Sequence, residues 1–295
     1  MNPFVQKQLK KVGSMLDRWM ERRATEVIFS DNVAVISDIP YIDSGKRCHM
    51  LDIYRPKNAA APLPVIVDFH GGGMVLCTKE VNRPFCTELA KRGFLVFCVD
   101  YPLVPDTDIP GILSDVSCSM DFVDTLIEQY GGDRNRVYQV GDSAGAFLSI
   151  YAVAAQKNPA IAEAGGFTAS SLPVKALGLI SGMFYTTLND TSCMFLRKDF
   201  YGKNWKRHPM SRFYNPAAVE LAGNLPPCFL VTSGADSLHL YTMKFHKGLT
   251  TAGTPCELLD FPLNKELAHD FVVTKPEKEE SQQAINRIIE FLLKS

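Results

Sequence analysis

The segment Gly141-Asp142-Ser143-Ala144-Gly145 places a serine between two glycines at a spacing that favours nucleophilic chemistry. It directly follows the apolar run Val137–Val140 and directly precedes an uncharged stretch of helical length. A serine on a sharp strand-to-helix turn needs glycines two positions away on each side, because strand and helix pack too closely there for a Cβ atom. The pattern predicts a nucleophile elbow with Ser143 at its tip; an ordinary glycine-rich turn is the alternative.

A second glycine-rich segment, His70-Gly71-Gly72-Gly73, follows the apolar run Pro64–Phe69. In such a loop the backbone N–H groups of Gly72 and Gly73 can turn inward and, with the N–H of Ala144, hold an oxyanion that develops on a substrate. A flexible turn is the alternative. Glycines lose much conformational entropy on folding, so three in a row favour a functional use.

An acid partner should follow the nucleophile at the end of a strand and precede the histidine. Asp236 meets this requirement, because it comes just after the apolar run Cys228–Val231. Its alternative role is the N-cap of the helix that follows. Asp260 is a competing candidate, but it lies inside the predicted strand that precedes His269. We therefore predict Asp236 as the acid.

His269 is the predicted base, because it follows both Ser143 and Asp236 and lies between the last predicted strand and the last predicted helix. His239 and His246 also follow Asp236, but they fall on a helical pattern. The other three histidines come before the acid: His49, His70 and His208. An unperturbed histidine titrates near ~6.5, so activity should fall as the pH drops through that range.

The sequence carries no motif for a metal or a nucleotide cofactor. It has no HExxH motif and no Cys/His cluster, and its glycine motifs match neither GxGxxG nor a phosphate loop. We therefore expect no cofactor and no metal.

The composition indicates which classes of partner and which cellular compartment to expect. With 31 basic and 32 acidic residues the net charge is −1, so no strong field favours nucleic acid or anionic lipid. This charge balance favours a small-molecule substrate over nucleic acid or lipid. The sequence is also compatible with a homo-oligomer. The 8 cysteines form no CxxC pair, which favours free thiols in a reducing, cytoplasmic compartment.

No membrane span or signal peptide is predicted. The longest uncharged run, Ser143–Gln156, falls short of the ~20 residues that a span needs. The N-terminal segment has apolar residues at helical spacing, separated by charges, so it predicts an amphipathic helix and not a signal peptide.

The elements that must position these residues alternate along the chain. Six apolar, β-branched runs predict parallel strands: Pro64–Phe69, Phe94–Val99, Val137–Val140, Ala176–Ile180, Cys228–Val231 and Cys256–Phe261. Five stretches between and after them predict helices: 79–92, 109–130, 143–157, 237–252 and 276–294. Two earlier runs, Glu26–Pro40 and His49–Tyr54, predict an antiparallel hairpin at the sheet edge. The alternation predicts an α/β fold with a mostly parallel, twisted sheet and helices on both faces.

Taken together, the motifs resemble the hormone-sensitive-lipase-like branch of the α/β-hydrolases, which includes many bacterial carboxylesterases. The resemblance spans residues 45–295. It rests on the His70–Gly73 and Gly141–Gly145 motifs, on Asp236 in a Gly-x-Asp-x-Leu setting, and on His269 before Asp270 and Phe271.

The resemblance implies an α/β-hydrolase fold in which residues 46–295 form the catalytic domain. Residues 1–45, as N-terminal cap helices and a lead-in strand, and the aromatic-rich insertion 184–220 would form a helical cap over the site. Apolar side chains there, such as Trp19, Met20, Phe195 and Trp205, would line it.

Three departures from the family pattern concern the surroundings of the site. Pro102 stands where an arginine is usual, Met74 stands where an aromatic residue is common, and Asp270 replaces the glycine that usually follows the histidine. The groups expected to react are unchanged.

The expected function is hydrolysis of short- to medium-chain acyl esters through a Ser/His/Asp triad and an acyl-enzyme. An amidase, formamidase or small peptidase with the same triad is an alternative. A ligand-binding homologue without catalysis is a further one.

Overall fold

The computed structural model of the protein describes residues 32–58, 62–189 and 195–295 and, within the N-terminal segment, Lys7 and Lys11 alone. Most of the predicted N-terminal cap segment, with Trp19 and Met20, lies outside the described residues.

An eight-stranded sheet organises the described chain, in the order β1-β2-β4-β3-β5-β6-β7-β8. The strands are β1 Val33–Pro40, β2 Met50–Pro56, β3 Leu63–Phe69, β4 Leu95–Val99, β5 Gly132–Asp142, β6 Leu177–Ile180, β7 Cys228–Ser233 and β8 Cys256–Phe261. Strand β2 pairs antiparallel with β1 and β4, and every pairing from β4 to β8 is parallel. The prediction of a mostly parallel sheet with an antiparallel hairpin at one edge is confirmed.

Helices cover both faces of the sheet. The longer ones are α1 Arg83–Lys91, α2 Ile109–Leu126, α3 Ala144–Lys157, α7 His239–Ala252 and α9 Glu279–Lys294; the shorter ones are α4 Pro159–Gly165, α5 Arg197–Tyr201, α6 Val219–Ala222 and α8 Phe271–Thr274. Side chains of α2, α3 and α7 share one apolar core, and those of α1 and α9 share another on the opposite face. All five predicted helices are present.

The central strands are more deeply buried than the last strand, β8. All residues of β4, β6 and β7 are buried, as expected for a parallel sheet with both faces covered. The outermost strand β8 is mostly half-buried or exposed, and Phe261 is its only buried residue. Residue His269 follows this edge strand in the chain.

The insertion after β6 forms short helical pieces where it is described. These are α5, α6 and two 3₁₀ turns at Trp205–Arg207 and Pro209–Phe213. Phe200, Tyr201 and Met210 are buried in the same core as α3, whereas Phe195 is 66% exposed. Core packing thus accounts for several of the aromatic residues of this segment.

Candidate active site

Ser143 lies at the tip of a sharp turn between β5 and α3. Its backbone has φ +49° and ψ −111°, a conformation that residues with a Cβ rarely adopt. The Ser143 N–H donates to Ile180 O at 2.9 Å, and Ser143 O accepts from Met183 N at 2.8 Å. Both bonds tie the strained turn to the end of β6, and the serine is only 4% exposed.

The two flanking glycines are required by close backbone contacts. A Cβ on Gly141 would lie 2.5 Å from the carbonyl carbon of Gly145, and a Cβ on Gly145 would lie 1.8 Å from Phe69 O. Distances under 3.0 Å exclude a side chain at both positions without movement of backbone. Helix α3 can therefore begin directly against the ends of β3 and β5 only because both residues are glycine.

Asp236, His269 and Ser143 form one continuous chain of hydrogen bonds. His269 Nδ1 lies 2.7 Å from Asp236 Oδ1, and His269 Nε2 lies 3.0 Å from Ser143 Oγ. The structure thus brings together the three residues that the sequence predicted, from positions after β5, β7 and β8.

The Asp236 carboxylate is held by several donors besides the histidine. Leu238 N–H donates to Oδ1 at 2.8 Å, and Thr232 Oγ1 donates to Oδ2 at 3.2 Å. Burial alone would raise the pKa of Asp236, but the hydrogen bond and charge of His269 outweigh it and hold the pKa below its usual value. The carboxylate is therefore ionised and fixed in orientation toward Nδ1.

Asp260, the other candidate for the acid, contacts a different histidine. Asp260 lies in β8, and both its carboxylate oxygens are 3.1 Å from His239 Nε2 on α7. This pair is partly exposed and separate from His269. The structure brings Asp260 to a different histidine from the one that contacts Ser143.

His269 has a second carboxylate neighbour, Asp270. Asp270 Oδ2 lies 3.0 Å from the same Nε2 atom that faces Ser143. Burial lowers the pKa of His269, but the charge of Asp270 and the hydrogen bond of Asp236 overcome this effect and raise the pKa to about 11. The pKa of His269 therefore differs from the value near ~6.5 that an unperturbed histidine would have.

The loop that carries the predicted oxyanion donors packs against the Ser143 turn through Gly71. A Cβ on Gly71 would lie 2.3 Å from Asp142 Oδ2 and 3.1 Å from Ser143 Cβ. Gly72 and Gly73 have φ of +108° and +63°, which glycine adopts without strain. Ala144 is the first residue of α3, where a backbone N–H has no acceptor within the helix.

Asp100 and Tyr101 contact His70, which begins the loop that carries the predicted oxyanion donors. Tyr101 stacks on the His70 ring at 4.3 Å between centroids, and its hydroxyl donates to His70 O at 2.6 Å. His70 Nε2 lies 3.2 Å from Asp100 Oδ1, which also accepts from Lys79 N–H at 2.8 Å. Each contact fixes the strand-to-loop junction that carries the glycines.

Two residues near the site were missed by sequence reasoning. Ser181, directly after β6 with φ +49°, accepts from Asp270 N–H at 3.3 Å and also bonds Asp236. Asn82 donates to both Asp142 Oδ1 at 2.8 Å and Asp68 Oδ2 at 2.9 Å. A polar residue at the carboxyl end of a buried strand was the only available signal for Ser181, and Asn82 had none.

One group of potential metal ligands occurs among the described residues, behind the site. The ligand atoms of Asp68, Cys86 and Cys98 lie within 4.8 Å of one another. Both thiols donate to Asp68 Oδ2, at 3.4 and 3.3 Å. Burial raises the pKa of both thiols, to about 12 for Cys86, so a cation would have to displace two protons from a buried place.

The described residues include neither a helix that could span a membrane nor a disulfide. Within the described part of the chain, no helix has both the length and the apolar character of a membrane span. None of the seven described cysteines forms a disulfide; Cys86, Cys98 and Cys228 are buried, and Cys118 is exposed.

Comparison with known proteins agrees with this architecture. A family described as "alpha/beta hydrolase fold" matches residues 66–273. A crystal structure of esterase B from Lactobacillus rhamnosis, inhibited by a tributyrin phosphonate, has a TM-score of 0.91 at 21% identity and covers 99% of this chain and 95% of its own. At this identity the likeness concerns the fold.

Two curated proteins are similar in sequence. A probable isoprenylcysteine alpha-carbonyl methylesterase of Arabidopsis thaliana is 33% identical over 195 residues, which is 63% of this chain and 41% of that protein. The carboxylesterase NlhH of Mycobacterium tuberculosis is 29% identical over 232 residues, which is 75% of this chain and 70% of that protein. The chain thus spans less than half the length of the plant relative. From the matched family and the architecture around Ser143, the chain belongs to the hormone-sensitive-lipase-like family of the α/β-hydrolase fold.

Proposed function

We propose that the protein is a serine carboxylesterase that hydrolyses short- to medium-chain acyl esters. The observation that carries the proposal is the continuous chain of hydrogen bonds from Asp236 through His269 to Ser143 Oγ. A serine hydroxyl is a weak nucleophile at its ordinary pKa, and a base within hydrogen-bond reach activates it. The names of the relatives, a methylesterase and a carboxylesterase, support ester bonds as the target.

In the proposed reaction Ser143 Oγ attacks the ester carbonyl carbon while His269 Nε2 accepts its proton. Asp236 keeps the imidazole in the required orientation and stabilises its protonated form, without taking the proton itself. His269 then donates the proton to the leaving alcohol, and an acyl group remains on Ser143. Water attacks the acyl-enzyme with His269 again as base, which releases the carboxylic acid.

The oxyanion of the tetrahedral intermediate would be stabilised by the N–H groups of Gly72, Gly73 and Ala144. These donors belong to backbone that is already held in place, so they need no reorganisation during the reaction. Removal of one such donor typically costs about 10²- to 10³-fold in kcat.

The N-terminal segment before β1 and residues 184–220 are proposed as the cap over the acyl pocket. A closed apolar pocket favours each added methylene by about 0.8 kcal/mol until it is full. Overpacking then reverses the trend by ~1–3 kcal/mol. The esterase B neighbour, whose inhibitor is a C4 phosphonate by its printed name, is compatible with short acyl chains.

The proposed location of the protein is the cytoplasm. The seven described cysteines form no disulfide, which fits the reducing cytoplasm. The proposed partner is a small-molecule ester.

The test of this function is Ser143→Ala, with Ser237→Ala as the matched control. Ser237 is exposed and lies one residue from the proposed acid. We expect Ser143→Ala to abolish hydrolysis of p-nitrophenyl acetate and labelling by a fluorophosphonate probe, whereas the control retains both. Unchanged turnover by Ser143→Ala would remove the proposed nucleophile.

Graded p-nitrophenyl esters test the substrate class. We expect kcat/KM to peak at acyl chains of about two to six carbons, because the pocket is then filled without overpacking. Matched acetyl ester and acetanilide substrates separate an esterase from an amidase. Faster cleavage of the anilide, or efficient hydrolysis of emulsified long-chain triglycerides, would contradict the proposal.

A further inference from the structure

The nitrogen that must accept the serine proton is contacted by a second acid. His269 Nε2 lies 3.0 Å from Ser143 Oγ and also 3.0 Å from Asp270 Oδ2. Because Nδ1 already faces Asp236, the imidazole lies between two carboxyl groups.

The short contact between His269 Nε2 and Asp270 Oδ2 requires that the pair carries a proton. An unprotonated Nε2 lone pair and an ionised carboxylate oxygen repel each other at this distance. The contact is favourable only if the imidazolium donates its Nε2–H to the carboxylate, or if a protonated Asp270 donates its O–H to Nε2. In both arrangements the Nε2 lone pair is occupied, so it cannot accept the proton of Ser143.

The backbone fixes Asp270 in this place. The residue has φ +56° and ψ +27°, and its N–H donates to Ser181 Oγ at 3.3 Å. Its carbonyl accepts from Val273 N–H and Thr274 N–H at 3.1 and 2.9 Å, which locks it to the first turn of α8. The side chain is 14% exposed, and among the described groups Oδ1 has no hydrogen-bond partner.

The charges around the pair are predominantly acidic. Asp142 faces it from the end of β5 and Asp236 from the end of β7, and Asp68 lies behind Asp142 through Asn82. Burial raises the pKa of Asp142, and the neighbouring charge of Asp270 raises it further. The ionised carboxylate of Asp236 therefore favours a proton on His269, whereas a protonated Asp142 adds no negative charge.

We infer that Asp270 is a positioning residue that holds a proton on His269 Nε2 and so sets the pH above which Ser143 can be activated. This inference rests on the proposed esterase function. When the proton leaves the pair at higher pH, His269 Nε2 becomes free to act as base toward Ser143 Oγ. The resting site is therefore restrained at acidic and neutral pH and opens to catalysis at alkaline pH.

Two substitutions test the role of the carboxylate. Asp270→Gly removes the side chain, and glycine adopts the positive φ without strain; Asp270→Asn keeps the size and tolerates this backbone conformation but lacks the charge. Asp260→Asn, which alters the carboxylate beside His239, is the matched control.

The main readout is kcat/KM for phenyl acetate from pH 5 to 11. We expect the midpoint of the alkaline rise to fall by one unit or more in both Asp270 variants, so that kcat/KM at a fixed pH below the midpoint rises about tenfold or more. The control should keep the wild-type midpoint. Unchanged midpoints in both variants, or a shift in the glycine variant alone, would overturn the inference, because neither fits a role of the charge.

Histidine ¹⁵N NMR makes the test independent of turnover. With the His269 signals identified by His269→Gln, we expect imidazolium shifts that persist above pH 8 in the wild type and are lost at lower pH in Asp270→Gly. A wild-type His269 that titrates near ~6.5 would refute the inference even if the protein is an esterase. Failure of the fluorophosphonate probe to label the wild type at any pH would instead refute the proposed function.

Discussion

The carboxylates of Asp236 and Asp260 each contact a different histidine, and their surroundings differ. Asp236 is buried, accepts from Leu238 N–H and Thr232 Oγ1 as well as from the imidazole, and has a lowered pKa. Asp260 lies in the exposed edge strand and faces His239. A carboxylate fixed by several donors can orient an imidazole, whereas an exposed pair contributes little.

Asp236→Asn should reduce kcat by on the order of 10³- to 10⁴-fold with little change in KM. An amide can donate to Nδ1, which places the imidazole proton on Nε2 and removes the base. Steady-state kinetics with p-nitrophenyl acetate measure the effect. Asp260→Asn serves as the control and should retain wild-type rates; equal losses in the two variants would contradict the assignment of the acid.

At the residue scale, order and spacing predicted the serine, acid and histidine that the structure brings together. The sequence did not predict that Asp270 would contact His269 Nε2. That contact depends on the φ of +56° at Asp270 and on its bond to Ser181, and neither backbone conformation nor a contact between distant segments can be read from residue types. The histidine pKa was unpredictable for the same reason.

At the scale of elements, the site is built where four loops leave the carboxyl ends of the parallel strands β3, β5, β7 and β8. The Gly72 turn is the tightest of the oxyanion loop, because a Cβ there would lie 2.1 Å from Leu76 O. Leu76 N–H donates back to Gly72 O at 3.0 Å, which closes the turn. The loop therefore holds one shape, and any side chain at this position must distort it.

Gly72→Ala should lower kcat by about 10²-fold or more, because displacement of the turn moves an oxyanion donor. Gly45→Ala is the control: Gly45 also has positive φ, +68°, but nothing lies within 4 Å of its Cβ position. Kinetics and circular dichroism of both variants should show that the first loses turnover with its secondary structure kept. Equal kinetic effects would show that backbone strain alone is responsible.

The elements themselves were largely predictable. Alternation of buried strands with amphipathic stretches gave the strand and helix positions, with β8 predicted at its observed bounds. Strand β5 begins earlier than predicted, at Gly132, since its first residues are polar and partly exposed and carry no apolar signal. The order of strands in the sheet depends on crossover geometry, which a single sequence specifies only through general rules.

For the molecule as a whole, activity and stability should respond to pH in opposite directions. The pKa of His269 is raised to about 11, so its stabilising contribution is complete below ~6.5 and is lost as the pH rises toward 11. The pKa of Asp68 is raised to about 6 by burial, and that of Asp270 is also raised. Each acid binds more protons in the folded state between its ordinary and its raised pKa, so stability falls with rising pH in that interval, which for Asp68 runs from 3.8 to about 6.

We therefore expect the Tm to fall by ~2 °C or more between pH 6 and pH 9 while esterase activity rises. Differential scanning calorimetry at constant ionic strength measures the first quantity and initial rates the second. The buried thiols, whose pKa values are also raised, act in the same direction near pH 9. A Tm that rises over this interval would contradict the protonation states assigned to the site.

The position of β8 at the sheet margin has a consequence for thermal inactivation. Ser143 follows a central strand, whereas His269 follows the half-exposed outermost one. Elements at the edge of a fold commonly open locally at a free-energy cost well below that of global unfolding. Hydrogen exchange detects this local opening. Transient detachment of β8 would separate base from nucleophile while β3, β5 and β6 stay paired. Heated samples should therefore lose turnover at a temperature below the circular dichroism midpoint, with the β8 amides exchanging before those of β5.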